Sequence, residues 1–207
     1  MIEEIETYLD ELFPNPKCEL NYNKDYELLI AVVLSAQTTD KRVNKVTNVL
    51  FKKYPTLKDL KNADVHDIEK IIKEIGTFRK KAVFVKEIAQ LLDEKYDGVV
   101  PNERKELEQF PGVGRKTCNV VLSNIYNIPA IAVDTHVSRV SKRLGLVSKN
   151  DDVTKIEKKL MKKIKKENWS KMHHQLVLFG RYECKAQKPN CKICKLSNIC
   201  KEKNKNI

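Results

Sequence analysis

Apolar residues recur three and four positions apart along most of the 207-residue chain, the spacing of one face of an α-helix. Ile2, Ile5, Leu9, Leu12 and Phe13 make the first such stripe, a core-facing one, and Pro14 and Pro16 close it. From Tyr26 to Ser35 the chain is almost continuously apolar through Leu28–Leu34, which predicts a buried central helix. The polar run S-A-Q-T-T-D follows, with Thr39 or Asp40 placed to cap a helix carrying Val43, Val46, Leu50 and Phe51. Val65, Ile68, Ile71, Ile72 and Ile75 mark a helix over 64–75 with Gly76 as its stop, and another spans about 78–95, closing before Gly98. Asn102 is placed to cap a helix that ends near Phe110. Later stripes are Val137, Val140 and Leu144, stopped by Gly145, then Ile156, Leu160 and Ile164 in a lysine-rich helix begun by Asp151 or Asp152. Ser170 is placed to cap the last, which runs towards Tyr182. No pair of segments alternates as strands do, so the class is all-α.

One interruption organises the rest. Leu107–Leu122 reads L-E-Q-F-P-G-V-G-R-K-T-C-N-V-V-L: a helix, a turn over Pro111-Gly112-Val113-Gly114, and a new helix from about Arg115. Proline blocks the first helix, and both glycines allow a reversal through positive φ. The first N–H groups of the new helix lack partners within it, and its positive end faces the same way, which suits phosphate. Arg115 and Lys116 stand at the lip. I-G-T-F-R-K-K-A (75–82) echoes P-G-V-G-R-K-T-C (111–118), with Gly, Arg and Lys in register. Either a degenerate second hairpin or an ordinary Gly-ended turn produces that echo.

The net charge of +12 favours a polyanionic partner, although a lysine-rich soluble surface would give the same number. No stretch reaches the roughly 20 apolar residues of a membrane helix, and the acidic, amphipathic start is no secretion signal. Six cysteines are present, four of them in the last 24 residues. Without a secretion signal these read as metal ligands in a reducing compartment rather than as disulfides, while Cys18 and Cys118 read as small buried fillers.

Cys184, Cys191, Cys194 and Cys200 give C-x6-C-x2-C-x5-C. Four thiolates so close together accept either a tetrahedral zinc or a [4Fe–4S] cube; a single C-x2-C pair leans towards the cube and leaves both open. From residue 181 onward the net charge is +6, making Lys185, Lys188 and Lys192 further candidates for phosphate contact.

L-S-A-Q-T-T-D (34–40), F-P-G-V-G-R-K-T (110–117), V-D-T-H (133–136) and the cysteine spacing, in this order, resemble the endonuclease III family of base-excision DNA glycosylases within the helix-hairpin-helix superfamily. The resemblance covers nearly the whole chain. It implies a helical domain over 20–129 containing the hairpin, a second domain from 1–19 plus 130–207 holding one [4Fe–4S] cluster on the four cysteines, and an active-site cleft between them. Lys116 falls on the family's catalytic lysine and Asp134 on its catalytic aspartate. Gln37 matches the residue that fills the hole left by an extruded base, and Gly112, Val113, Gly114, Arg115 and Thr117 match the DNA-gripping hairpin. Thr38 stands where Ala is commoner, Cys118 replaces the usual Ala, and Ser138 a bulkier neighbour. Without the resemblance, Lys116 would read as a phosphate-contacting or surface lysine, Asp134 as a helix N-cap, and Gln37 as a loop residue.

Related adenine-mismatch glycosylases carry a glutamate where Val32 stands, and thymine-mismatch enzymes generally a tyrosine in place of Lys116; lysine marks the bifunctional type. The resemblance therefore implies a glycosylase/AP lyase for oxidised pyrimidines, acting as a cytoplasmic, nucleoid-associated monomer on double-stranded DNA carrying damaged pyrimidines or abasic sites. A monofunctional mismatch glycosylase and a non-catalytic DNA-binding module are the alternatives.

Overall fold

The computed structural model describes residues 1–207. Its eleven helices are α1 (Ile2–Leu12), α2 (Asp25–Leu34), α3 (Asp40–Lys53), α4 (Leu57–Asn62), α5 (Val65–Ile72), α6 (Phe78–Lys95), α7 (Arg104–Leu107), α8 (Arg115–Tyr126), α9 (Thr135–Arg143), α10 (Val153–Lys163) and α11 (Trp169–Leu178). There is no strand, and no helix is long and apolar enough to cross a membrane. The chain divides into two compact units, Glu19–Tyr126 and Met1–Cys18 with Asn127–Ile207.

In the 19–126 unit, α2 is the centre. Every residue from Tyr26 to Leu34 is buried, the unbroken apolar run Leu28–Leu34 together with Tyr26 and the Glu27 carboxylate. Helices α3, α6 and α8 pack around it, and α6 lies against α4 and α5. Burying one such Leu or Ile contributes about 1.5–3 kcal/mol, so α2 anchors everything attached to its ends. Lys24 and Glu27 begin it: the Glu27 carboxylate accepts from the backbone N–H groups of Asn23 and Lys24 at 2.7 and 3.3 Å. Helix α4 starts at a capping box, with Thr56 Oγ1 accepting from Asp59 N at 3.1 Å and the Asp59 carboxylate accepting from Thr56 N at 3.0 Å.

In the other unit, Ile5 and Leu9 of α1 meet Val137 and Val140 of α9, Ile156 and Leu160 of α10, and Met172 and Leu176 of α11 in one core. A π-helical turn, Phe179–Glu183, extends α11 and leads into the cysteine tail.

Several expected boundaries moved. Helix α5 stops at Ile72, and the left-handed residue behind it is Thr77 (φ 53°) rather than Gly76. The N-cap of α7 is Glu103, not Asn102, and α7 is a single turn ending at Leu107, short of Phe110. Asn168 precedes α11, so Ser170 lies inside that helix. For Asn102 and Ser170 the side chain expected to cap sits a residue or two off the point where packing lets the helix begin.

Candidate active site and cysteine centre

The hairpin of the 19–126 unit turns at Gly112, whose φ is 74°. Space demands glycine as strongly as conformation does: a Cβ there would lie 2.8 Å from Phe84 Cδ2 and 2.9 Å from Val33 Cγ1. Gly114 departs from the expectation of two left-handed glycines. It lacks a positive φ, and a Cβ on it would meet nothing within 4 Å. What the second glycine leaves bare is therefore an open outer surface, ahead of the first turn of α8. Gly114 O accepts from Cys118 N at 3.0 Å, starting that helix. Val113 and Thr117 are buried and fix the turn, Gly112, Gly114 and Arg115 are exposed, and Lys116 is half-buried. Cys118 is the expected filler: fully buried, with its thiol pushed up to about 11 by desolvation. Cys18 is only half-buried.

Gln37 occupies an exposed turn directly beyond α2 and holds a φ of 57°, a left-handed conformation that is costly for a residue with a Cβ. The turn is closed by Thr38 N donating to Ser35 O at 3.0 Å.

In the other unit, Asp134 is the N-cap of α9, its Oδ1 accepting from Val137 N at 2.8 Å. It borders a groove of about 700 Å³ whose other walls include Ser138, Arg139, Lys142, Lys149 and Lys201. Two carboxylates line this largely basic groove: Glu202, bonded to Arg143, and Asp134, with one oxygen committed to the helix.

The four tail cysteines line one pocket with almost wholly apolar walls, together with Phe179 and Leu144. None is in a disulfide. Burial raises the Cys184 thiol, while the hydrogen bond and charge of Arg143 pull it back; Cys194 is raised by burial and by the proximity of the other three cysteines. No trio of His, Cys, Asp or Glu is placed to hold a single metal ion. Four thiols around one pocket are a donor set that either a [4Fe–4S] cube or a tetrahedral zinc accepts. Lys185, Lys188 and Lys192 are exposed on the loop between these cysteines.

Arg143, which no motif flagged, ties both ends of that tail. Its Nη1 donates to Cys184 Sγ at 3.4 Å and Lys185 O at 2.7 Å, its Nε to Glu202 at 3.1 Å, and its carbonyl accepts from Lys201 N at 2.6 Å. One turn earlier, Arg139 Nη2 donates to Gly180 O at 2.6 Å and Cys184 O at 3.2 Å. Their spacing of four residues on α9 was the available signal, hidden among ordinary surface cations.

The signature of the HhH-GPD superfamily of base excision DNA repair proteins matches residues 30–166. The endonuclease III of Bacillus subtilis (strain 168) is 48% identical over 204 residues, covering 97% of this chain and 93% of that protein. The chain belongs to the endonuclease III family. Two solved endonuclease III structures, a trapped DNA covalent intermediate with an estranged adenine and a non-covalent DNA complex, each superpose with a TM-score of 0.93 at 50% identity, covering 97% of this chain and 94% of theirs. The all-helical endonuclease III architecture is thus that of this chain.

Proposed function

We propose that this endonuclease III relative is a bifunctional DNA glycosylase/AP lyase that removes oxidised pyrimidines from duplex DNA, with Lys116 as nucleophile. The observation that carries the reading is a half-buried primary amine in the first turn of α8, directly behind a turn built on Gly112. A similar chain is known as a covalent intermediate with DNA, which supports an attacking side chain in the family.

The target base must leave the stack, at a cost of a few kcal/mol. Backbone N–H groups around Gly114–Thr117 grip phosphate, and Gln37 enters the vacancy. Lys116 Nζ attacks C1′ of the deoxyribose; the C1′–N bond breaks and the base leaves with the bonding electrons. The attached nitrogen gives up one proton and keeps one, the C1′–O4′ bond breaks with O4′ taking up that proton as the ring opens, and a protonated iminium joins Nζ to C1′. Removal of a C2′ proton then expels the 3′ phosphate, cutting the strand. An amine is needed because only nitrogen gives this electron sink. Asp134 accepts a proton from the lysine or stabilises positive charge growing on the sugar.

Cys184, Cys191, Cys194 and Cys200 hold one [4Fe–4S] cluster, and Lys185, Lys188 and Lys192 on the intervening loop contact DNA phosphate. The cluster supplies a covalent closure of the tail that orders this loop. The partner is double-stranded DNA with damaged pyrimidines or abasic sites, met in the cytoplasm by a monomer.

Borohydride reduction during reaction with an abasic-site duplex tests the nucleophile. The natural chain should give a covalent protein–DNA adduct and Lys116→Gln none. Base release without an adduct would instead fit a monofunctional glycosylase, and binding without release or nicking on any lesion a DNA-binding module.

A further inference from the structure

Lys81 is only 4% exposed, and a buried ammonium is rare unless its protons are satisfied. It lies on the first turn of α6, its backbone N–H bonded to Thr77 O at 3.0 Å. Its Nζ donates to Leu34 O at 2.9 Å, to Ala36 O at 2.6 Å and to Thr38 Oγ1 at 3.5 Å. Three donors thus meet three acceptors. Leu34 is the last residue of α2, so the ammonium sits against the negative end of that helix, where its terminal carbonyls lack partners. The remaining two acceptors bracket Gln37. One of them is the hydroxyl of Thr38, the residue that departs from the commoner Ala.

The bracket explains how Gln37 keeps its left-handed φ. A turn of four residues, closed by one backbone hydrogen bond, does not hold a strained residue against solvent; a buried cation that grips the carbonyls before Gln37 and reaches the Thr38 hydroxyl after it does. Burial lowers the proton affinity of Lys81, in keeping with an amine sealed away from water rather than one borrowed from the surface. One turn further along α6, Phe84 packs against Gly112 of the hairpin. The helix that clamps the Gln37 turn therefore also seats the phosphate grip.

We infer that Lys81 is a positioning residue, which holds the Ser35–Thr38 turn so that Gln37 is presented to the vacancy left by an extruded base. The inference rests on the proposed glycosylase reading of Gln37 and adds the group that aims it. A purely structural lysine would stabilise α2 without affecting what Gln37 does on DNA.

The test uses the full chain and a duplex with a tetrahydrofuran abasic analogue opposite 2-aminopurine. In the natural chain, binding should change the 2-aminopurine fluorescence as Gln37 enters the stack. Lys81→Met and Gln37→Ala should each abolish most of that change and weaken binding roughly tenfold, the scale of one lost charged hydrogen bond. Adding Lys81→Met to Gln37→Ala should weaken binding no further. If Lys81→Met fails to fold, Lys81→Gln replaces it with the same expectations. A cooperatively folded Lys81 variant with the full fluorescence change would overturn the inference. So would an undiminished effect of the Lys81 change in the Gln37→Ala background, or a Gln37→Ala protein that behaves as the natural chain. Borohydride trapping on a natural abasic site reports separately on the lyase reading, so loss of one does not mimic loss of the other.

Discussion

Gly112 and Phe84 touch so closely that a methyl group on the glycine would stand 2.8 Å from the phenyl ring. Gly112→Ala should therefore cost about 2–4 kcal/mol, combining left-handed strain with overpacking. Gly114→Ala, with neither penalty, should change stability by under about 0.5 kcal/mol yet weaken DNA binding, because its open face is where a phosphate would approach. Urea unfolding and duplex titration of both variants separate the two roles. Equal stability losses would contradict them.

Asp134 caps α9 and is proposed to act in catalysis, and two substitutions separate these functions. Asn is as good an N-cap as Asp, so Asp134→Asn should melt as the natural chain does. It should retain lesion binding and turn over about 100-fold or more slowly, the scale of general acid–base effects. Asp134→Ala should lose about 1 kcal/mol of stability in addition. Near-normal turnover of the Asn variant would remove Asp134 from the mechanism.

Arg143 bonds Cys184 Sγ, the loop carbonyls and Glu202. Arg143→Leu should leave the α9 core side intact but reduce cluster affinity by about 10- to 100-fold, as loss of a ligand's supporting partner does. Iron per chain and visible iron–sulfur absorbance provide the measurement. Full iron occupancy after the substitution would show that the four thiols need no such support.

Removing iron from the natural chain should free the tail, since residues 184–200 pack around the cysteine pocket and place one fully buried apolar side chain, Leu196, in the core. Limited proteolysis should then cut between Lys185 and Lys192 and DNA binding should fall. Unchanged cleavage kinetics would argue against a structural role for the cluster.

Burial holds His174 below its usual 6.5. The unfolded chain therefore takes up a proton where the folded chain does not. Stability from this group is whole above about pH 6.5 and is lost as pH falls from there through the lower folded value. His174→Gln should lose less stability than the natural chain between about pH 7.5 and 5.5 in urea unfolding. Parallel losses in the two proteins would show that another group sets the acid limb.

Where apolar spacing was long and regular, the elements followed it. The run through Leu28–Leu34 became a helix buried on all sides, and the stripe of 78–95 became α6 at the expected limits. Caps were less legible. Asn102 and Ser170 are good capping residues at the wrong distance from where packing starts a helix, because the cap is chosen by the tertiary position of the first turn. Gly114 looked like a second turn residue, but a one-letter glycine does not distinguish a need for positive φ from a need for bare surface.

Apolar spacing alone marked the all-helical class, and the order of the motif blocks marked the family and the candidacy of Lys116, Asp134, Gln37 and the four cysteines, because those depend on residue type and spacing. Only the folded chain separated Lys81 from its neighbours Arg79 and Lys80, which are exposed, and Arg143 from the surface cations around it. Which of several lysines or arginines turns inward depends on where a distant helix leaves its carbonyls without partners. That is a property of packing between segments 45 or more residues apart, such as Lys81 with Ala36 and Arg143 with Glu202, and no local pattern encodes it.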